Sequence, residues 1–148
     1  MAVAATIEEA MRDWKWLIDF DQFTLLGISP FGDLFMKDGT CAFCLLDVNF
    51  GELQYAETAG SDPAVLFPMA FDMRIAIRYI EAGLLPVDGQ CFGYKQQLVA
   101  RGSLAVENVY VATAAQYVSF MGDFHHQIQV VPDGTTVTIK VINQKVIQ

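Results

Sequence analysis

The sequence predicts an α+β fold, a mainly antiparallel sheet of hairpins packed against about three helices. Three observations lead there. Short segments of alternating hydrophobicity are joined by tight-turn residues, Asp38-Gly39 foremost. Two capping signals, Thr6 with Glu9 and Ser61-Asp62-Pro63, precede apolar residues at helical spacing. Strands and helices interleave, but the early strands follow one another as hairpins, which favours an antiparallel sandwich over a doubly wound sheet.

Each element has its own warrant. Thr6 and Glu9 form a capping box, and Ile7, Ala10, Met11, Trp14 and Leu17 make one stripe of a helix that fades near Asp19. Trp16 points away from that stripe, towards the rim of the core or a partner. Asp19 to Gln22 reads as loop. Thr24 to Ile28 is a short strand or an irregular stretch that lays Leu25, Leu26 and Ile28 on the core. Pro30 to Gly32 turns the chain. Asp33 to Lys37 alternates as a strand, with Leu34 and Met36 on one face and Phe35 on the other. After Asp38-Gly39 the chain returns as a strand over Cys41 to Asp47. Asn49-Phe50-Gly51 turns it again into a third strand, Glu52 to Ala56, completing a meander.

The second helix starts at Ser61-Asp62-Pro63, with Leu66, Met69, Met73, Ala76 or Ile77, and Ile80 at helical spacing. Pro68 either kinks it or separates a short turn from a main helix over 69–82, and Gly83 ends it. Cys91 to Tyr94 and Leu98-Val99 each read as strand or loop. Val106 to Ala112 is a strand rich in β-branched and aromatic residues. A last helix runs from about Thr113 to Gln129 on a stripe of Tyr117, Met121, Phe124 and Ile128. Asp133-Gly134 turns into a final strand, Thr135 to Val141.

Composition bounds the class. The 148 residues suit a single domain over 1–148. A chain of this size buries about 68–70% of its unfolded surface, enough for a core without staples. No apolar run approaches the roughly 20 residues of a membrane span, and the N-terminus lacks a signal-peptide pattern. Three cysteines do not close a disulfide framework. A cytoplasmic setting follows as the expectation. Residues 1–73 carry twelve Asp/Glu against three Lys/Arg, whereas residues 74–148 carry five against six. Between Lys37 and Arg74, Asp38, Asp47, Glu52, Glu57, Asp62 and Asp72 have no basic residue among them. A one-signed surface costs self-repulsion and steers an oppositely charged partner. The acidic balance argues against nucleic acid and fits a basic protein.

No catalytic constellation stands out, and no cofactor is implied. Cys41 and Cys44 have Cys-x-x-Cys spacing, but within a predicted strand they face opposite sides and lack a second ligand pair. His125 and His126 are adjacent on a predicted helix, about 100° apart, with His125 beside the buried stripe and His126 outward. Neither has a paired nucleophile or carboxylate. Gly89 and Gly93 lack the strand–helix context and Lys-Ser/Thr of a phosphate loop and suit turns and close packing instead.

A set of landmarks runs along the chain: Phe31-Gly32-Asp33-Leu34-Phe35, Leu45-Leu46-Asp47 with Gly51-Glu52-Leu53, and Gly89-Gln90-Cys91-Phe92-Gly93-Tyr94-Lys95 with Leu98 and Gly102. It continues through Asn108, Tyr117-Val118-Ser119-Phe120-Met121-Gly122, His125, Gln127 and Ile128. In order and spacing, over about residues 14–141, this resembles the C-terminal domain of bacterial type VI secretion immunity proteins, a domain that often follows a GAD-like domain. Gln96-Gln97 stands where that family often has a proline, and Arg101-Gly102 where it has a Gly-Gly pair. The resemblance implies a protein, not an enzyme, that neutralises a co-encoded toxin of nuclease type by binding it. With the charge pattern, Asp38, Asp47, Glu52 and Glu57 are the expected partner-binding residues, meeting the basic cleft of the toxin. Two other classes compete: a small-ligand or enzymatic domain using His125, Cys91 and Tyr94, and a self-assembling scaffold suggested by the 53% hydrophobic content. Oligomeric state is left open.

Overall fold

The structure, a computed structural model, describes residues 6–129. The Asp133-Gly134 turn and the strand expected over Thr135 to Val141 lie outside those residues.

Helix α1 (Ile7–Met11) begins as the capping pattern requires, with Glu9 N–H donating to Thr6 Oγ1 at 3.1 Å. It is shorter than its stripe suggested. A 3-10 turn over Arg12–Trp14 tightens the chain, so Ile18 is buried and Leu17 stands 40% exposed. A second 3-10 turn, Phe20–Gln22, is capped by Asp19 where the sequence read as loop.

Four antiparallel strands follow in spatial order: β1 (Thr24–Ile28), β2 (Leu34–Lys37), β3 (Phe43–Asp47) and β4 (Glu52–Tyr55). A register shift between Leu25 and Gly27 in β1 leaves Leu26 exposed rather than on the core. β3 starts two residues later than expected because Cys41 sits in the turn with φ +67°. The alternation in β2 holds: Leu34 and Met36 join the main core, while Phe35 faces the opposite side. Both faces of β2 and β3 are covered, one by α1 and the C-terminal helix, the other by Leu66, Phe67 and Phe71.

Those last residues belong to the segment around α2 (Pro63–Leu66), capped by Asp62 through Ala64 N–H at 3.0 Å. Pro68 interrupts, and α3 (Met73–Glu81) starts afresh on its own cap, Asp72. The restart rephases the helix. Ala76 and Tyr79 face inward, whereas Met73, Ile77 and Ile80 from the expected stripe face solvent, as does Met69 ahead of the helix. Tyr79 packs against Phe31 and Phe92 in a second core with Tyr94 and Val109.

A separate two-stranded antiparallel sheet pairs β5 (Gln90–Tyr94) with β6 (Val109–Thr113). Leu98 lies in a 3-10 turn (Leu98–Ala100), not a strand, and Val106–Asn108 forms another just before β6. Phe92 and Tyr94 face α3; Cys91 and Ala112 face the main core. Helix α4 (Ala114–Ile128) buries Tyr117, Met121 and Phe124 as its stripe predicts. Gly122 lets α4 approach the Arg12–Trp14 turn, since a Cβ there would lie 2.7 Å from Asp13 carbonyl oxygen. Trp14 Nε1 donates to Val118 carbonyl at 2.8 Å, and Trp16 Nε1 to Gly122 carbonyl at 3.1 Å. Trp16 is therefore rim packing, also stacked on His126. The architecture is α+β, a four-stranded antiparallel sheet and a two-stranded sheet with four helices among the described residues. No helix among them is long and apolar enough to cross a membrane.

Candidate functional site

The β1–β2 and β3–β4 turns meet at a buried polar junction. Ser29 Oγ accepts from the N–H groups of Phe31 and Asp33 and donates to Asp33 Oδ2 at 2.8 Å. Asp33 Oδ1 accepts from Val48 N–H at 3.1 Å, so one carboxyl fastens two turns. Asn49 Nδ2 donates to Phe31 carbonyl, and its Oδ1 accepts from the Tyr117 hydroxyl at 2.6 Å. Tyr94 N–H donates to that same hydroxyl. Burial, then the Asp47 charge, pushes the Asp33 carboxyl up to about 7, against the opposing pull of Ser29 and Val48. Asp47 caps the β3–β4 turn by accepting from Asn49 and Phe50 N–H at 3.1 and 3.0 Å. Burial raises its carboxyl too, against those two donors, and Glu52 adds to the rise.

This junction forms the floor of a cavity of about 340 Å³, walled also by Phe31, Phe50, Ile75, Tyr94 and Leu104. Beside it lies a larger groove of about 570 Å³ between β4 and the α2 segment, with Gln54, Tyr55 and Glu57 on one side and Val65 to Ala70 on the other. The two concavities adjoin at Met69 and Ala70, which line both.

The four expected partner-binding acids fall at two ends of β3 and β4. Asp47 and Glu52 are cross-strand partners at one end. Asp38 lies at the other end, where its Oδ1 accepts from Thr40 and Ala42 N–H and the Tyr55 hydroxyl bonds its side chain. Glu57 follows β4 at that end. Asp47 lines the cavity and Glu57 the groove, while Asp38 and Glu52 line neither. Asp38, Asp47, Asp62 and Asp72 all cap turns or helices, so much of the acidic run has local work. Glu52 and Glu57 are exposed.

His125, Cys91 and Tyr94 do not converge on one cavity. His125 is buried against the β3–β4 turn, its Nε2 2.9 Å from Val48 carbonyl. Burial lowers its pKa, opposed by its bonding to the Val48 and Asn49 backbone. Cys91 is buried in the main core, its thiol pushed up to about 12 by burial first and Asp33 second. Tyr94 alone lines the cavity. Gly93 lies beneath the Tyr117 ring, a packing position.

The sequence read Asp33 as the start of a strand, Asn49 as part of a turn and Tyr117 as part of a buried stripe, and gave none of them a place in a polar site. Ser29-Pro-Phe-Gly-Asp33 carried the local signal of a turn closed by its own side chains. The junction itself joins residues 68 positions apart, beyond any sequence window.

No family model matches the sequence, and no curated protein matches it. Among solved structures the chain is similar to the crystal structure of Atu4351 from Agrobacterium tumefaciens, with 14% identity and a TM-score of 0.56. The match covers 80% of this chain and 65% of that one, so the chain spans about two thirds of its length. At this identity the likeness is one of fold.

Proposed function

We propose that the protein is an immunity-type inhibitor that binds a co-encoded bacterial toxin of the nuclease class in the cytoplasm and occludes its active cleft, without bond-making chemistry of its own. The observation that carries this reading is the pair of adjoining concavities with Asp47 in one and Glu57 on the edge of the other. The order of landmarks shared with type VI secretion immunity domains supplies the class of partner. A nuclease gathers phosphate, so its cleft is cationic. A concave face with acidic and apolar surface suits the charged rim and exposed loops of such a cleft. A stable complex would bury about 1,200–2,000 Å².

Asp38 and Asp47 hold turns, so reversing them would disturb folding as well as docking. Glu52 and Glu57 are exposed and can be reversed cleanly. Association with the product of the neighbouring toxin gene, followed by biolayer interferometry over a salt series, tests the reading. Glu52→Lys with Glu57→Lys should slow association by about tenfold at low salt and flatten its salt dependence. Wild-type association rates in that variant would remove the acidic face from the mechanism, and absence of complex with the wild-type chain would remove the function.

A further inference from the structure

We propose that the cavity walled by Phe31, Asp33, Asp47, Asn49, Phe50 and Tyr94 takes a long-stemmed organic cation, its ammonium or guanidinium head on the floor and its alkyl stem along the rim. On the docking function proposed above, from which this partner follows, that cation is a Lys or Arg side chain of the toxin.

The cavity is graded by depth. Asp33, Asn49, Phe31 and Tyr94 are each no more than 5% exposed and make the floor, whereas Phe50 and Leu104 stand 48% and 41% exposed at the mouth. Its volume of about 340 Å³ is at the small end of ligand sites, room for one side chain rather than a cofactor. A floor of two polar side chains and two aromatic rings beneath an apolar mouth suits a side chain that carries its charge at the tip of a methylene stem.

Charge selects a cation over a neutral or anionic guest. Asp33 and Asp47 both line the cavity, and among the described residues no Lys, Arg or His does. Each Asp33 oxygen accepts one protein donor, leaving acceptor capacity on a carboxylate that offers about four lone-pair sites. Asp47 Oδ2 is met by Gln54 Nε2 at 3.5 Å, the outer limit of a hydrogen bond. The rings of Phe31, Phe50 and Tyr94 add cation–π attraction. Burial and the neighbouring Asp47 charge raise the Asp33 carboxyl, and a cation seated between the two would offset both.

The test is an NMR titration of the full chain with n-butylguanidinium and n-butylammonium, against n-pentanol as a neutral probe of similar length. Saturable shifts at Phe31, Asp33, Asn49 and Phe50 amides are expected with the cations, and at least about tenfold weaker binding of the alcohol. Asp47→Asn keeps an oxygen for Asn49 and Phe50 N–H, so the turn survives, and cation affinity should fall by about tenfold. Equal affinity for pentanol, no saturation with either cation, or wild-type cation affinity in a folded Asp47→Asn chain would overturn the proposal. The comparison of probes on the wild-type chain does not depend on any variant folding. The titration needs no toxin, so loss of the docking function in the Glu52→Lys, Glu57→Lys experiment leaves it standing, and its own failure leaves docking standing.

Discussion

Asp33 shows how far a residue's behaviour depends on partners distant in sequence. In the sequence it opens a strand; in the structure it is buried and fastens two turns. Its folded pKa of about 7 lies above the ~3.9 of an unfolded Asp. The folded chain therefore keeps a proton that the unfolded chain has released. Stability from this group is fully present below about pH 4 and is lost as pH rises to about 7, at no more than about 1.4 kcal/mol per pH unit. His125, with a lowered pKa, slopes the other way below about 6.5. Subtracting Asp33→Asn from wild type in urea unfolding at several pH values cancels His125 and should leave the slope of Asp33 and of its repulsion with Asp47. Parallel curves would show that Asp33 is not protonated on folding. Gly122 makes a second residue-scale prediction. A Cβ there meets the Asp13 backbone and the Trp14 indole, neither a flexible chain end. Gly122→Ala should cost about 1–3 kcal/mol in denaturant unfolding despite better helix propensity. The glycine was visible in the sequence. The surface pressed against it, 108 positions earlier, was not.

Elements were legible where their signals were local. Thr6 and Asp62 cap helices with their own side chains as their patterns require, and a hairpin does follow β2, but its left-handed residue is Cys41 rather than Gly39, so the turn closes between Asp38 and Ala42. Burial phase was harder. In α3 a single apolar spacing was continued across Pro68, but the new cap at Asp72 resets the turn count, and the residue that fills the core is Tyr79. Its hydroxyl donates to Leu104 carbonyl at 2.7 Å, so an aromatic with a satisfied polar tip displaces aliphatic residues from the inner face. The two faces should respond differently to substitution. Ile77→Lys, on the solvent side, should change stability by less than about 0.5 kcal/mol, whereas Tyr79→Ala should cost about 3–5 kcal/mol in thermal or urea unfolding. Equal costs would mean that α3 is rotated from the orientation described. The β5–β6 pair was half legible for a related reason. Glycine-punctuated strands give weak periodicity, and the faces of this pair are set by Tyr79 and Tyr117 from two different helices.

At the scale of the molecule, charge asymmetry was the plainest feature of the sequence and the least direct guide to a surface. Four of the six acids between Lys37 and Arg74 cap their own neighbourhoods. The remaining two, Glu52 and Glu57, are where the salt-dependent association predicted above should reside. The concavities, of which Glu57 lines one and Glu52 neither, combine the β3–β4 hairpin with the α2–α3 segment, a juxtaposition that exists only after folding. The cysteines hold a practical consequence. Cys44 and Cys91 are buried and their thiols raised, to about 11 and about 12, so little thiolate forms on them near neutral pH. Cys41 alone of the three is exposed, at the tip of the β2–β3 hairpin. A maleimide dye should therefore attach once per native chain and three times in denaturant, as intact mass would record. That gives a ready-made fluorescent beacon beside Asp38, able to report an approaching macromolecule with no engineered handle.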